Sequence, residues 1–128
     1  MNKQIITEHL NKFDYDFEEK GEIINVKLDF NLEINIDLTK SDKIKISDKL
    51  ASLNFLSWPF SMSIKKTMSY NFIGSFLVFI LFLAIRNSYN NYVLTLIVIF
   101  AAFWNLYWLL YYLIKSENFK KEIKNLIK

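Results

Sequence analysis

A chain of 128 residues, net charge +3, with 52% apolar and 17% aromatic residues, places its charges unevenly: residues 1–69 hold 10 Lys and 11 acidic side chains, 70–114 hold only Arg86, and 115–128 hold 5 Lys and 2 Glu. That segregation argues against a disordered chain and against a wholly soluble single domain. The absence of Cys excludes disulfides and thiol nucleophiles, and one His with two Gly leaves little material for catalysis or phosphate loops, so no enzymatic activity, cofactor or metal is expected.

Residues 1–13 place Ile5, Ile6, His9, Leu10 and Phe13 on one helical face. The start of the chain lacks an apolar stretch of signal-peptide length, which leaves the first spanning segment as the insertion signal. From Tyr15 onward the period is two. Tyr15 and Phe17 alternate with Asp14, Asp16 and Glu18, and Lys20 with Gly21 marks a turn. Ile24, Val26, Leu28 and Phe30 form a second alternating set, Leu32, Ile34, Ile36 and Leu38 a third, and Ile44 with Ile46 a fourth. This pattern predicts a helix followed by a four-stranded antiparallel meander, an α+β domain over 1–47 with one apolar face. So small a layer is marginal alone, and a following segment, the membrane or a second copy is needed to complete its core. The acidic run Asp14, Asp16, Glu18, Glu19 fails the calcium-loop spacing and reads as a solvated strand face. His9 has no partner spacing that supports a catalytic triad.

Residues 48–66 form a connector. Leu50, Leu53 and Leu56 fit a short helix with Ser47 as N-cap, ended by Pro59, and Trp58, Phe60, Met62 and Ile64 are apolar enough to hold the connector at an interface. The uncharged run 67–85 and the apolar run 92–114 correspond to about 28 and about 34 Å of helix, enough to cross a hydrocarbon core of roughly 30 Å. With the short polar loop 87–91 they make a two-helix hairpin over 67–86 and 92–114. Lys65 and Lys66 precede the first span and five Lys follow the second, while the loop region holds only Arg86. Both termini are therefore expected in the cytoplasm. Lys outnumbers Arg 15 to 1, a usage that suggests an AT-rich bacterial genome and hence the inner (cytoplasmic) membrane.

Trp104, Trp108, Tyr111 and Tyr112 crowd the cytoplasmic half of the second span and, with Trp58, are expected to be interfacial anchors. Asn105 lies deep in the same span, level with Asn71 and Ser75 of the first, which predicts an interhelical hydrogen bond. No Asp, Glu, His or Lys occurs between 67 and 114, which argues against proton or ion coupling. The tail 115–128 puts Phe119, Ile123, Leu126 and Ile127 on one face, and Lys115, Lys120, Lys121, Lys124 and Lys128 are expected to contact anionic lipid headgroups as a short basic amphipathic helix. A solvated continuation of the second span is the alternative.

These features predict a non-enzymatic integral membrane protein whose domain docks a partner protein or a second copy, with the bilayer but no nucleic acid as a further partner. A subunit of a small oligomeric channel or transporter, and an immunity or membrane-stress protein, are the alternatives.

Overall fold

A computed structural model describes residues 2–40, 42–52, 54, 56, 60–86 and 92–127. The elements follow in the order α1 (Asn2–Lys12), β1 (Asp16–Lys20), β2 (Ile23–Lys27), β3 (Leu32–Asp37), β4 (Lys45–Leu50), α2 (Ile64–Arg86) and α3 (Tyr92–Leu126). The strands form one antiparallel sheet in the order β1-β2-β3-β4. The α+β layout expected from the alternating pattern is present.

The hairpin turns set the strand limits. Gly21, at φ +60°, supplies the left-handed residue between β1 and β2. Between β2 and β3 the left-handed positions fall to Phe30 (φ 56°, ψ 37°) and Asn31 (φ 63°). Leu32 N–H donates to the Asp29 carbonyl across this turn, and Leu28 N–H donates to the Leu32 carbonyl. Successive left-handed residues match the right-handed twist of paired strands. β2 therefore stops at Lys27, and Phe30 leaves the inward-facing set to which its parity assigned it. For a residue with a Cβ this backbone costs about 1–2 kcal/mol.

β4 continues to Leu50, which pairs with Leu32 and bridges to Met62. The expected short helix beginning near Leu50 is absent among the described residues. Residues 45–50 prefer the sheet because β3 offers a full set of backbone partners, and Asn54 then turns the chain by donating to the Ala51 carbonyl and accepting from Leu56 N–H. Leu53, Trp58 and Pro59 lie outside the described residues, as does the loop 87–91.

The inward face of the sheet is buried at Ile24, Val26, Leu32, Ile34, Ile36 and Leu50, and α1 covers part of it with Ile6 and Leu10. The remaining cover comes from α3, through Trp108, Tyr112, Phe119 and Ile123. The tail is thus not a separate short helix but the last third of one 35-residue helix, and its apolar face is spent on the domain core. The outward face carries facing opposite charges, with Glu33 opposite Lys49 and Asp37 opposite Lys45 in the register, and a Lys27–Glu18 pair at 2.7 Å. Ile36→Ala should cost about 2–4 kcal/mol, while Asn35→Ala, one residue away on the outward face, should change stability by less than about 0.5 kcal/mol. Urea unfolding of the two variants reads this difference.

α2 and α3 are both long and apolar enough to cross a membrane. Their exposed side chains include Phe72, Phe76, Phe79 and Leu83 on α2, and Val93, Leu96, Ile97 and Phe100 on α3.

Candidate functional site

The polar residues that matter most lie where α3 crosses the sheet. Asp48 sits at an inward position of β4, opposite Ile34 in the register. A carboxylate there must be paired, because an uncompensated buried charge is costly. Asp48 accepts from three donors: Ile64 N–H at 3.0 Å, Ser116 Oγ at 3.3 Å and Lys120 Nζ at 2.5 Å. The first donor belongs to the opening turn of α2, where Ser63 Oγ also accepts from Lys66 N–H at 3.3 Å. A carboxylate beside a helix N-terminus is favoured by the exposed amides and the helix dipole. The other two donors belong to α3. One side chain of the sheet therefore fixes both long helices. Burial disfavours the Lys120 ammonium, but the hydrogen bond and charge of Asp48, aided by Glu117, overcome this and raise its pKa.

A second junction ties α3 to α1 and to Tyr15, the residue that leads into β1. His9 Nε2 and Glu122 Oε1 are 2.6 Å apart, and Tyr15 lies beside the same carboxylate. The Tyr15 ring meets Phe119 edge-on at 5.3 Å. Burial raises the Tyr15 pKa, and the neighbouring Glu122 carboxylate raises it further. The folded state holds this proton more tightly than the unfolded chain. Its contribution to stability is therefore complete below about pH 10 and is lost as pH climbs through the raised value. Lys120 acts in the same direction. Tyr15→Phe should reduce the fall in Tm between about pH 10 and 12, which a thermal-melt series across that range measures.

The aromatic residues of α3 divide into two roles. Trp108 and Tyr112, expected at the headgroup boundary, are buried against the domain. The Tyr112 hydroxyl donates to the Phe30 carbonyl at 2.7 Å, and the Phe30 ring meets Trp108 and Tyr111 edge-on at 5.0 and 5.4 Å. These contacts offset the cost of the left-handed Phe30 backbone. Trp104 is exposed and Tyr111 is half-buried.

Asn71, Ser75 and Asn105 line one groove of about 680 Å³ between α2 and α3, with Met68, Phe72, Ala102 and Leu109 among the other walls. The structure brings the three together but does not form the expected interhelical bond. Asn105 Nδ2 donates to the Ala101 carbonyl at 2.9 Å and Asn71 Nδ2 to the Thr67 carbonyl at 3.0 Å. An amide on a helix can satisfy itself on the carbonyl four residues back, as both do here.

Among the described residues, no group of three His, Asp or Glu side chains is placed to hold a metal ion. Compared with known protein families, curated proteins and solved structures, the chain has no match. The site must be read from its own chemistry.

Of the lysines expected at the lipid surface, Lys120 is taken by Asp48. Lys115, Lys121 and Lys124 are exposed, and Lys128 lies outside the described residues. Sequence reasoning missed Asp48, Ser116 and Glu122. The signal for Asp48 was its parity: Ile46, Asp48 and Leu50 alternate with Lys45, Ser47 and Lys49, so a strand extended to Leu50 points a charge inward. Glu122 and Ser116 carried no comparable signal, because their partners are far away in sequence.

Proposed function

We propose that this chain is a small non-enzymatic integral membrane protein of the bacterial inner membrane, with both termini in the cytoplasm, whose α+β domain is a docking module held rigidly at the membrane surface. The observation that supports this best is the division of α3. Its first half exposes apolar side chains such as Leu96, Ile97, Phe100 and Phe103, and its second half buries Tyr112, Phe119 and Ile123 in the domain. A helix shared in this way, with Asp48 clamping α2 beside it, removes the freedom a tethered domain would have. Lys65, Lys66 and Lys115 mark the cytoplasmic boundary and are the lysines best placed for anionic headgroups. Lys121 and Lys124 lie about 9 and about 14 Å further along α3 and would stand off the bilayer.

Two surfaces of the domain differ in what they offer a partner. The outward sheet face matches its own charges across the strands and has little left to recognise. The outer edge of β1 ends the sheet and presents backbone donors and acceptors that another strand could pair with. Photocrosslinking residues at Glu18, on the edge strand, and at Asn35, on the same face two strands further in, compare the edge with the face in native membranes. A discrete adduct from the Glu18 position and none from Asn35 supports docking at the edge. Equal adducts from both, or none from either, contradicts it.

The groove with Asn71, Ser75 and Asn105 favours a second reading, a subunit of a small oligomeric channel or transporter assembled through α2 and α3. In that case Asn105→Leu would abolish crosslinking between copies while the monomer remains inserted. If the groove is filled only by lipid, the substitution would leave the oligomeric state unchanged.

A further inference from the structure

We infer that two aromatic loops of the domain, the β2–β3 turn at Phe30 and the segment at Phe60, insert into the headgroup and acyl boundary of the bilayer, so that the domain is itself a lipid-binding surface. The inference rests on the membrane reading above and adds a second mode of attachment to it.

The position of the two rings carries the argument. Lys65, Lys66 and Lys115 are the charged residues bordering the apolar parts of α2 and α3 on the domain side. Phe30 meets Trp108 and Tyr111, which precede Lys115 by about 10 and about 6 Å along α3. Phe60 lies 6.4 Å from Tyr70, which follows Lys65 by about 7 Å along α2. The Phe30 and Phe60 rings therefore lie past the level of the lysines, toward the apolar segments.

Exposure points the same way. Outside α2 and α3, the large apolar side chains exposed among the described residues are Ile5, Phe13, Phe30 and Phe60. Phe30 is 48% exposed and Phe60 is 55% exposed, and both lie at the end of the sheet from which α2 departs, where Leu50 pairs with Leu32 and bridges to Met62. In water this exposure is unfavourable. At a headgroup boundary, aromatic rings are at home.

The backbone of the turn is a further sign. A left-handed position in a hairpin favours Gly or Asn, yet Phe30 occupies it at φ 56°. The Tyr112 hydroxyl holds its carbonyl and Trp108 flanks its ring, so the turn is supported by the very helix that leaves the domain. A backbone outlier supported in this way is the kind of feature that function selects. The wedge sets the depth at which the domain meets the bilayer.

The chain contains no Cys, so single nitroxide labels can be introduced without background. The variants are Phe30→Cys, Phe60→Cys, Asp29→Cys, Leu96→Cys and Asn35→Cys, each reconstituted into phosphatidylethanolamine and phosphatidylglycerol vesicles. Asp29→Cys keeps Phe30 in place and so guards against a turn distorted by the label. Collision rates with oxygen and with a water-soluble nickel chelate report depth. The expected result is loss of nickel collision at positions 29, 30 and 60, to values between those of the aqueous Asn35 label and the lipid-buried Leu96 label. If Leu96 is protected while positions 29, 30 and 60 are as accessible to nickel as Asn35, the wedge is overturned and the membrane reading stands. If Leu96 is itself open to nickel, both are overturned.

Discussion

Asp48→Ala should destabilise the protein by about 3–5 kcal/mol, the range found when one partner of a buried ion pair is removed. Both side chains are mostly buried, Asp48 at 15% and Lys120 at 16% exposure, so solvent screens the pair only partly. The substitution would strip Lys120 of its main counter-charge, leaving Glu117 at 3.4 Å as a weaker, more exposed substitute. It would also remove the acceptor for Ser116 Oγ and for the opening amide of α2. The double variant Asp48→Ala with Lys120→Met should recover most of the loss, because a paired charge replaced by apolar groups is often near neutral. Chemical unfolding of the detergent-solubilised variants, followed by near-ultraviolet circular dichroism, measures both effects. A loss below about 1 kcal/mol for the single variant would show that Asp48 is solvated and that the clamp does not exist.

Phe119→Ala should cost about 3–5 kcal/mol, because the ring is almost fully buried and its removal leaves a cavity beside Tyr15. The comparison that gives this number meaning is Lys121→Ala, on the exposed face of the same turn, which should shift stability by less than about 0.5 kcal/mol. The pair separates two fates for the tail. If residues 115–127 lay along the bilayer with Phe119 in lipid, truncating the ring would leave the domain as stable as before. If they complete the core of the domain, the domain weakens even in detergent, where no bilayer surface is present.

The parts of this fold that are legible in the sequence are those specified by short-range periodicity. Ile24 with Val26, and Ile34 with Ile36, announce β2 and β3 because a half-buried strand alternates with period two. The runs 67–85 and 92–114 announce α2 and the first part of α3 because they lack charges. The tail was harder. Phe119 and Ile123 spell an amphipathic face, and that face fits an anionic leaflet as well as it fits a sheet. Only the three-dimensional arrangement brings β2 and β3 under it. Asp48 lies just beyond the limit at residue 47 that the alternation of Ile44 and Ile46 predicts, whereas β4 runs on to Leu50. Asn105, Asn71 and Ser75 line one groove, but depth does not say whether an amide bonds across a groove or back to its own helix. The membrane reading and the docking reading rest on α3 serving both the apolar pair and the domain core.

That shared helix also gives the most direct test. Single Cys residues at Ser88, Asn35 and Lys124 place one probe in the short loop and two on the domain side. Intact cells are treated with a membrane-impermeant maleimide, then the labelling is repeated after permeabilisation. The account predicts that Ser88→Cys reacts from outside, and that Asn35→Cys and Lys124→Cys react only once the membrane is opened. Labelling of Lys124→Cys in intact cells, or failure of Ser88→Cys to react there, would contradict a hairpin whose two ends return to one cytoplasmic domain.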